Sequence, residues 1–375
     1  MFRFRPSAAH CWVNCAGYIN MAAQYPQLPE DTDYIREEGI AAHWAASKLL
    51  RDDWVPVGEI APNGIELTEE LLDGAQMFVD VVRGWSDQFW SEHALHAPLI
   101  HEQCGGTPDA FGISKNYRFL RIADLKMGYR PHDPFEHWQL LCYYAACFTF
   151  FGFNGATDQE LIVEFTIVQP RWFGREGPVK KWTVRGSDLR GLVNRLHMAA
   201  AAAALPEPLL TAGSHCEHCS ARHACPAAQN AALQLLDLSA RSIPNDLDPA
   251  STAALLYRIT KAAELLDAMK TGLEARAQHM ISNGVVVPGY ILERGKGRRR
   301  YTSYEAEQDV MTLGDMLGKN LRKPQRAVTP TEALKMVDPA MLAPYIDRPE
   351  TGIKLRRVDD NAARKIFQSN GVSQE

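Results

Sequence analysis

The sequence lacks a long hydrophobic run, which argues against a membrane-spanning protein. Of its 375 residues 46% are hydrophobic, but no apolar stretch is long enough to cross a bilayer. The first residues, MFRFRPSAAHCW, contain no uninterrupted apolar segment of signal-peptide length. We therefore expect a globular protein of the cytoplasm that has no contact with a membrane.

A global excess of positive charge is also absent. The formal net charge is −5 and the pI is about 6.2, so a nucleic-acid binder with this balance would need local basic patches. Two exist, RWFGREGPVKK at 171–181 and RGKGRRR at 294–300. The second lies between the strand-like segments GYILE and RYTSY. It is predicted to form a hairpin tip at which Arg298, Arg299 and Arg300 hold a phosphate backbone. Each patch is equally well explained as a solvated loop.

Apolar periodicity divides much of the chain into helices and strands. Helices are predicted at 38–52, 68–90, 133–151, 186–204 and 250–282, and strands at 97–103, 106–113, 117–128 and 159–170. This order of elements indicates an α/β fold in which helices flank a mixed central sheet.

One predicted strand segment, RIADLKMG at 121–128, carries an acid and a base inside an apolar run. Side chains two apart on a strand point to the same face, so Asp124 and Lys126 project together. Asp109 precedes Asp124 by fifteen residues, about one hairpin, so adjacent antiparallel strands would bring both carboxylates side by side. Two close carboxylates repel unless a cation neutralises them, and hard oxygen ligands suit Mg²⁺ or Mn²⁺. The alternative is an ion pair on a wet surface.

Two predicted helices contribute further polar side chains. His43 lies near the start of the first, five residues after Glu38. Gln139 and Tyr143 are spaced four apart on one face of a later helix. In isolation, the simpler explanation of these residues is structural: a packed histidine, and a polar rim on a buried helix.

Taken in order, these segments resemble one family. The motifs EGxxxH, GTPD, DLK and QxxxY look like those of the RecB-like branch of the PD-(D/E)XK nucleases, and in particular its phage-encoded exonucleases. The resemblance covers residues 7–228. It implies a restriction-endonuclease-like α/β core with Mg²⁺ or Mn²⁺ at its active site.

The resemblance also implies the members of that site. Lys126 matches the catalytic lysine, and Gln139 and Tyr143 match a catalytic motif that lines the site and contacts DNA. The metal ligands that it implies are His43, Asp109, Asp124 and the backbone carbonyl of Leu125. One departure is that Asp124 stands where many relatives have Glu.

Three of the eight cysteines are closely spaced, in HCEHCSARHACPAA. Cys216, Cys219 and Cys225 form a C-x2-C-x5-C pattern, which in a cytosolic protein signals a metal or cluster site rather than a disulfide. Zinc could complete its ligands with a histidine, whereas an iron–sulfur cluster would prefer a fourth thiolate. The residues available are His215, His218 and His223 for zinc, and Cys11 and Cys15 for a cluster.

The family resemblance favours the cluster. A subset of RecB-like nucleases, including AddB-type and CRISPR-associated adaptation nucleases, has one cysteine before the nuclease core and three after it, and these bind a [4Fe–4S] cluster. In WVNC, Cys15 matches the lone cysteine. The implied ligands are Cys15, Cys216, Cys219 and Cys225. Because Cys15 and Cys216 are about 200 positions apart, joining them would restrict the unfolded chain by about 5 kcal/mol, by analogy with a disulfide.

These features together favour a metal-dependent exonuclease that hydrolyses DNA phosphodiester bonds in phage recombination, replication or repair. It would act in the cytoplasm of a bacterial host. Its partners would be DNA and a phage single-strand-annealing or recombination protein, with homo-oligomerisation left open. The alternatives are a non-catalytic iron–sulfur or zinc module that binds nucleic acid, and a redox protein, for which no nucleotide-binding glycine loop is found.

The predicted domains are a nuclease core at 1–230, a helical segment at 231–285 and a small basic module at 286–375.

Overall fold

The structure is a computed structural model. The residues that it describes are 2–25, 27–28, 33–85, 88–172, 177–239, 248–296, 300–323, 326–327, 330, 333, 336–347 and 350–357. The chain divides into two compact units, Met1–Leu273 and Glu274–Glu375. Arg298 and Arg299 lie outside the described residues. Within the described part of the chain, no helix has the length and apolarity that a membrane span needs.

Nine helices are described between residues 9 and 282. They are α1 (Ala9–Asn14), α2 (Tyr18–Gln24), α3 (Asp33–Leu50), α4 (Glu69–Arg83), α5 (Trp138–Phe150), α6 (Thr157–Glu160), α7 (Arg190–Ala203), α8 (Pro226–Ser239) and α9 (Pro249–Ser282). Helix α4 buries one apolar face, formed by Leu71, Ala75, Phe78, Val79 and Val82. Helix α4 also begins at a conventional cap, since the Thr68 hydroxyl accepts a hydrogen bond from the Leu71 N–H at 3.3 Å.

The strands of the first unit form one five-stranded sheet and one small ribbon. They are β1 (Gln88–Ser91), β2 (Leu95–His96), β3 (Gly105–Gly106), β4 (Ala110–Ile113), β5 (Phe119–Leu125), β6 (Ile162–Val168) and β7 (Val179–Arg185). The sheet has the order β1-β4-β5-β6-β7, while β2 pairs with β3. Only β5 and β6 are parallel, and α5 lies in the crossover that parallel pairing requires. The predicted α/β fold with a mixed, helix-flanked sheet is therefore confirmed.

Strand β5 runs through the middle of the sheet and is covered on both faces. Leu120 and Ile122 belong to an apolar cluster that includes α5 and α7, whereas Ala123 and Leu125 belong to a second cluster with α3 and α4. This alternation follows from the two-residue period of a strand. Asp124 is on the face of Ile122, so its carboxylate points towards the α5 side.

Three details of the sheet differ from the prediction. Residues 97–103 form turns between β2 and β3 rather than a strand, and Pro98 could not have donated a ladder hydrogen bond there. The helix predicted at 68–90 ends at Arg83, and the following residues form edge strand β1. Strand β7 was not predicted, because its outer residues are mostly polar and look like a loop.

The described elements of the second unit that follow α9 are mostly short. They are β8 (Tyr290–Lys296), β9 (Arg300–Tyr301), α10 (Tyr304–Met316), β10 (Arg322–Lys323), β11 (Arg326–Ala327), α11 (Pro339–Leu342), β12 (Ile346–Asp347) and β13 (Glu350–Arg357). Strand β8 pairs with β13, and β9 pairs with β12. The hairpin predicted from GYILE and RYTSY is therefore wrong, since β8 forms a longer ladder with a strand far along the chain. Arg300 begins β9.

Candidate functional site

Three acids stand in one row across neighbouring strands of the sheet. Strand β4 pairs with β5 so that Ala110 faces Ala123, and the same register continued by one residue places Asp109 opposite Asp124. The carboxylate Oδ2 of Asp109 accepts a hydrogen bond from the Leu125 N–H at 2.7 Å. The two aspartates are therefore neighbours across β4 and β5, as their fifteen-residue spacing predicts. On the other side, the pairing of β1 with β4 continues to place Glu92 opposite Asp109.

Asp124 and Lys126 form a buried pair that α5 completes. The Lys126 Nζ lies 2.7 Å from Asp124 Oδ2, and the Asp124 side chain is only 1% exposed. Gln139 bridges both groups: its Nε2 donates to Asp124 Oδ1 at 2.7 Å, and its Oε1 accepts from Lys126 Nζ at 3.0 Å. Burial alone would raise the pKa of Asp124, but the ammonium group of Lys126 outweighs it and the pKa is lowered. The alternative of an ion pair on a wet surface is therefore excluded.

Tyr143 extends this network by one turn of α5. Its hydroxyl accepts from Gln139 Nε2 at 3.3 Å and donates to the Thr107 carbonyl at 3.1 Å. Gln139 and Tyr143 share a helix face because they are four residues apart. The structure therefore places both predicted α5 residues at the site, where they orient Asp124 and Lys126.

His43 reaches the aspartates from α3. Small residues of α3, including Ala42 and Ala46, are buried in the apolar cluster that α3 shares with α4 and with Ala123 and Leu125 of β5. The His43 Nδ1 lies 3.0 Å from Asp109 Oδ1. Loss of water lowers the pKa of His43, but the hydrogen-bonded Asp109 carboxylate and the Asp124 carboxylate together raise it to about 9. A proton on the imidazole thus supplies part of the positive charge that the carboxylates need.

Glu92 is the one residue at this site that the sequence did not suggest. It follows β1 with a positive φ of 48°, and its N–H donates to the Asp109 carbonyl at 3.3 Å. Partial desolvation and the Asp109 carboxylate raise the pKa of Glu92 to about 7. Strand β1 was not predicted from the sequence. Only the pairing of β1 with β4 aligns Glu92 with Asp109, so no sequence pattern pointed to Glu92.

The arrangement fits a hard divalent cation. Three possible ligand atoms lie within 4.8 Å of one another, and they belong to His43, Glu92 and Asp109. Among the described residues, no other group of three His, Cys, Asp or Glu side chains is as compact. Mg²⁺ binds oxygen at about 2.0–2.1 Å, so its ligand atoms stand about 3–4.2 Å apart. The two carboxylates and one imidazole have the spacing and chemistry for this ion or for Mn²⁺. Asp124 lies beside this set, held by Lys126 and Gln139.

A buried arginine ties the helix of His43 to the end of β5. The guanidinium of Arg171, with its side chain 5% exposed, donates from one Nη to Glu38 Oε2 at 2.6 Å and to the Met127 carbonyl at 3.2 Å. Its Nε donates to Glu70 Oε1 at 2.8 Å. Arg171 is the first residue of the predicted basic patch at 171–181. Because its side chain is buried and paired with Glu38, it is neither part of a solvated loop nor available to a phosphate. Glu38, the acid of EGxxxH, acts here as a structural anchor.

We expect the two acids around Arg171 to differ in their contribution to stability. Glu38→Ala should lower the free energy of unfolding by about 3 kcal/mol, because it leaves the buried guanidinium without its enclosed partner. Glu70→Ala is the matched control: the Glu70 side chain is 62% exposed, so its loss should cost less than about 1 kcal/mol. Urea denaturation followed by tryptophan fluorescence measures both values. Equal losses would contradict the distinction.

The second candidate site gathers the four predicted cysteines. Cys15 follows α1 and Cys225 precedes α8, while Cys216 lies in the 3-10 helix Ser214–His218 and Cys219 directly follows it. All four are buried. Burial raises the pKa of the Cys219 thiol to about 11, and the neighbouring sulfurs of Cys216, Cys225 and Cys15 contribute to the shift. Thiols so placed would lose their protons most readily to a bound metal.

Hydrogen bonds distinguish Cys15 from its neighbour Cys11. The Sγ of Cys15 accepts from the Thr211 N–H, and the Sγ of Cys216 accepts from the Gly213 N–H, both at 3.4 Å. Cys11 instead donates its S–H to the His215 carbonyl at 3.6 Å. Metal ligands are thiolates and can only accept, so this pattern suits Cys15 as a ligand and Cys11 as a protonated thiol.

The cysteine sulfurs of the described residues do not form a set compact enough for three of them to bind one zinc ion as they stand. Zinc binds sulfur at about 2.3 Å, which holds tetrahedral ligands about 3.8 Å apart. No three cysteine sulfurs of the described chain fall within 4.8 Å of one another. A [4Fe–4S] cluster binds each thiolate to a different iron and therefore accommodates more widely spaced sulfurs.

Comparison with known proteins gives the family of the chain. The profile of a family described as protein of unknown function, DUF2800, matches residues 3–363. This match takes in nearly the whole of the sequence, including both candidate sites. The chain therefore belongs to the DUF2800 family.

Proposed function

We propose that this protein is a metal-dependent DNA nuclease of the RecB-like PD-(D/E)XK type. The observation that carries the proposal is the joint placement of Asp109, Asp124 and Lys126 where the paired strands β4 and β5 meet, with His43 and Gln139 in direct contact with them. Enclosing the Asp124 carboxylate against a partly buried ammonium group is costly, and this pair lies beside the row of carboxylates rather than at a packing contact between helices. Beside a scissile phosphate, the Lys126 ammonium group of this pair would stabilise the negative charge that develops during cleavage.

The cation would be Mg²⁺ or Mn²⁺. His43, Asp109 and Glu92 are spaced to hold it, and Asp124 and the Leu125 carbonyl are the further ligands that the resemblance implies. When bound, the ion would lower the pKa of a water molecule and offset negative charge on the phosphate.

The protein groups around the ion have separate tasks. Lys126 presents its ammonium group beside the buried carboxylate of Asp124, where it would hydrogen-bond the attacking water or a non-bridging phosphate oxygen. Gln139 fixes the direction of that ammonium group, since it binds Lys126 and Asp124 at once. Tyr143 in turn fixes Gln139. The site is thus preorganised by hydrogen bonds that exist before substrate arrives.

We further propose that Cys15, Cys216, Cys219 and Cys225 hold a [4Fe–4S] cluster with a structural role. The ligands come from the two ends of the nuclease unit, and the sulfurs lie in an apolar shell that includes Ala228 and Leu265. A shell of this kind shields the cluster from water. The cluster would join the N-terminal helix to the segment that follows α7.

The test is cleavage of end-labelled linear DNA by protein purified without oxygen. We expect degradation that needs Mg²⁺ or Mn²⁺ and stops on addition of EDTA. A covalently closed circle of the same sequence is the matched substrate, and an exonuclease should leave it intact. Binding of DNA without cleavage under all of these conditions would instead support the non-catalytic alternative.

A further inference from the structure

A pocket of about 360 Å³, here called the α5–α7 pocket, is lined chiefly by those two helices and belongs to neither candidate site. Helix α5 contributes Tyr144 and Phe148, which are one turn apart. They lie on a different face of α5 from Gln139 and Tyr143, the residues that orient the metal centre. Sites for small molecules usually enclose about 300–1,000 Å³, so this pocket is large enough for a small ligand.

Much of the pocket wall is apolar. Tyr144 is 3% exposed, and its hydroxyl donates to the Gly186 carbonyl at 3.3 Å, which fixes the ring. The Phe148 ring stands edge-on to it, with the two ring centroids 5.9 Å apart. Val193 of α7 and Leu99, in the turns between β2 and β3, also line the pocket. Because Leu99 is 46% exposed, covering it with an apolar group would be favourable.

The polar part of the pocket comes from one face of α7. Arg190, Asn194 and His197 recur there at helical spacing, and all three are exposed. An Nη of Arg190 donates to the Gly155 carbonyl at 2.7 Å, and His197 Nδ1 lies 3.1 Å from the Ile100 carbonyl, so both side chains are held in place. Among the described residues that line the pocket, none is acidic and only Arg190 has a permanent positive charge.

We propose that the α5–α7 pocket binds a small apolar molecule that carries a single carboxylate group. Its apolar body would pack on Phe148, Val193 and Leu99. Its carboxylate would accept hydrogen bonds from Arg190, because the planar guanidinium matches the two oxygens of a carboxylate. One positive charge in the lining balances one negative charge, which favours a carboxylate over a doubly charged phosphate monoester. The proposal does not depend on the nuclease function.

NMR titration with three probes tests the proposal. They are naphthylacetate, its uncharged analogue naphthylethanol, and naphthylmethyl phosphate. The wild type should bind naphthylacetate about tenfold more tightly than naphthylethanol, the scale of a hydrogen bond to a charged group, and at least as tightly as the phosphate. Arg190→Gln should remove the difference between acid and alcohol. Phe148→Ala, and Leu99→Ala at a more exposed position, should each weaken binding of both.

Arg195→Gln controls for the loss of an arginine from α7. Arg195 is also exposed, but it lies over the Trp138 ring at 4.9 Å and does not line the pocket, so its loss should change none of the three affinities. Equal binding of acid and alcohol by the wild type, or tighter binding of the phosphate, would overturn the assignment of a carboxylate. The pocket itself would be ruled out if no probe binds saturably, or if naphthylacetate binds the Arg190, Phe148 and Leu99 variants as it binds the wild type. None of these measurements involves DNA, so their failure and that of the nuclease proposal are distinguishable.

Discussion

Replacing Asp109 by asparagine should lower the rate of Mg²⁺-dependent DNA cleavage by about 10²- to 10³-fold. Asparagine has the same shape and can still accept the hydrogen bond from the Leu125 N–H, so the strand pairing should persist. What it loses is the charge that attracts the cation and pairs with His43. Removing one preorganised electrostatic group from an active site commonly has an effect of this size.

Asp124→Asn and Lys126→Ala should produce comparable losses, since each removes one half of the buried pair. The readout is the initial rate on end-labelled linear DNA. Mn²⁺ affinity, measured by calorimetry, should fall for Asp109→Asn. Asp73→Asn is the control: this exposed acid on α4 is not among the residues of the site, and the rate of the variant should equal that of the wild type. If the Asp109→Asn protein is folded and fully active, the Asp109 carboxylate takes no part in cleavage.

Parts of this site could be predicted because they depend on backbone geometry alone. Asp124 and Lys126 meet because a strand has a period of two, and Asp109 joins them because fifteen residues suffice for a hairpin. The contact between His43 and Asp109 is different. It depends on how α3 packs on the sheet, and before the structure only the family resemblance suggested it.

Other parts leave no pattern in the sequence. Arg171 and Glu38 are 133 positions apart, and a buried ion pair at that separation has no periodic signature. Glu92 depends on the register of β1, which has only four residues and directly follows a helical pattern that seemed to continue through it. Gln169 lies at the end of the strand predicted at 159–170, and nothing in that pattern indicates that its side chain is fully buried and hydrogen-bonds the backbone of Gly128, Arg130 and His132.

Loss of one cluster cysteine should have the largest effect on stability. Protein prepared without oxygen should be brown and contain about four iron atoms per chain, the number in a [4Fe–4S] cluster. Cys15→Ala should lose the colour and the iron. Its free energy of unfolding should fall by about 5 kcal/mol, because the unfolded chain would no longer be closed over about 200 residues. Iron analysis, visible absorbance and urea denaturation measure the three quantities.

Cys11→Ala is the matched control for Cys15→Ala, since both cysteines are buried on the same short stretch of chain. Cys11 donates its S–H to a carbonyl, so it should keep its proton and contribute no ligand. The Cys11 variant should therefore remain brown and lose little stability. If the two results were reversed, Cys11 would be the fourth ligand. Stoichiometric zinc without iron in the wild type would contradict the cluster and leave a structural zinc site in its place.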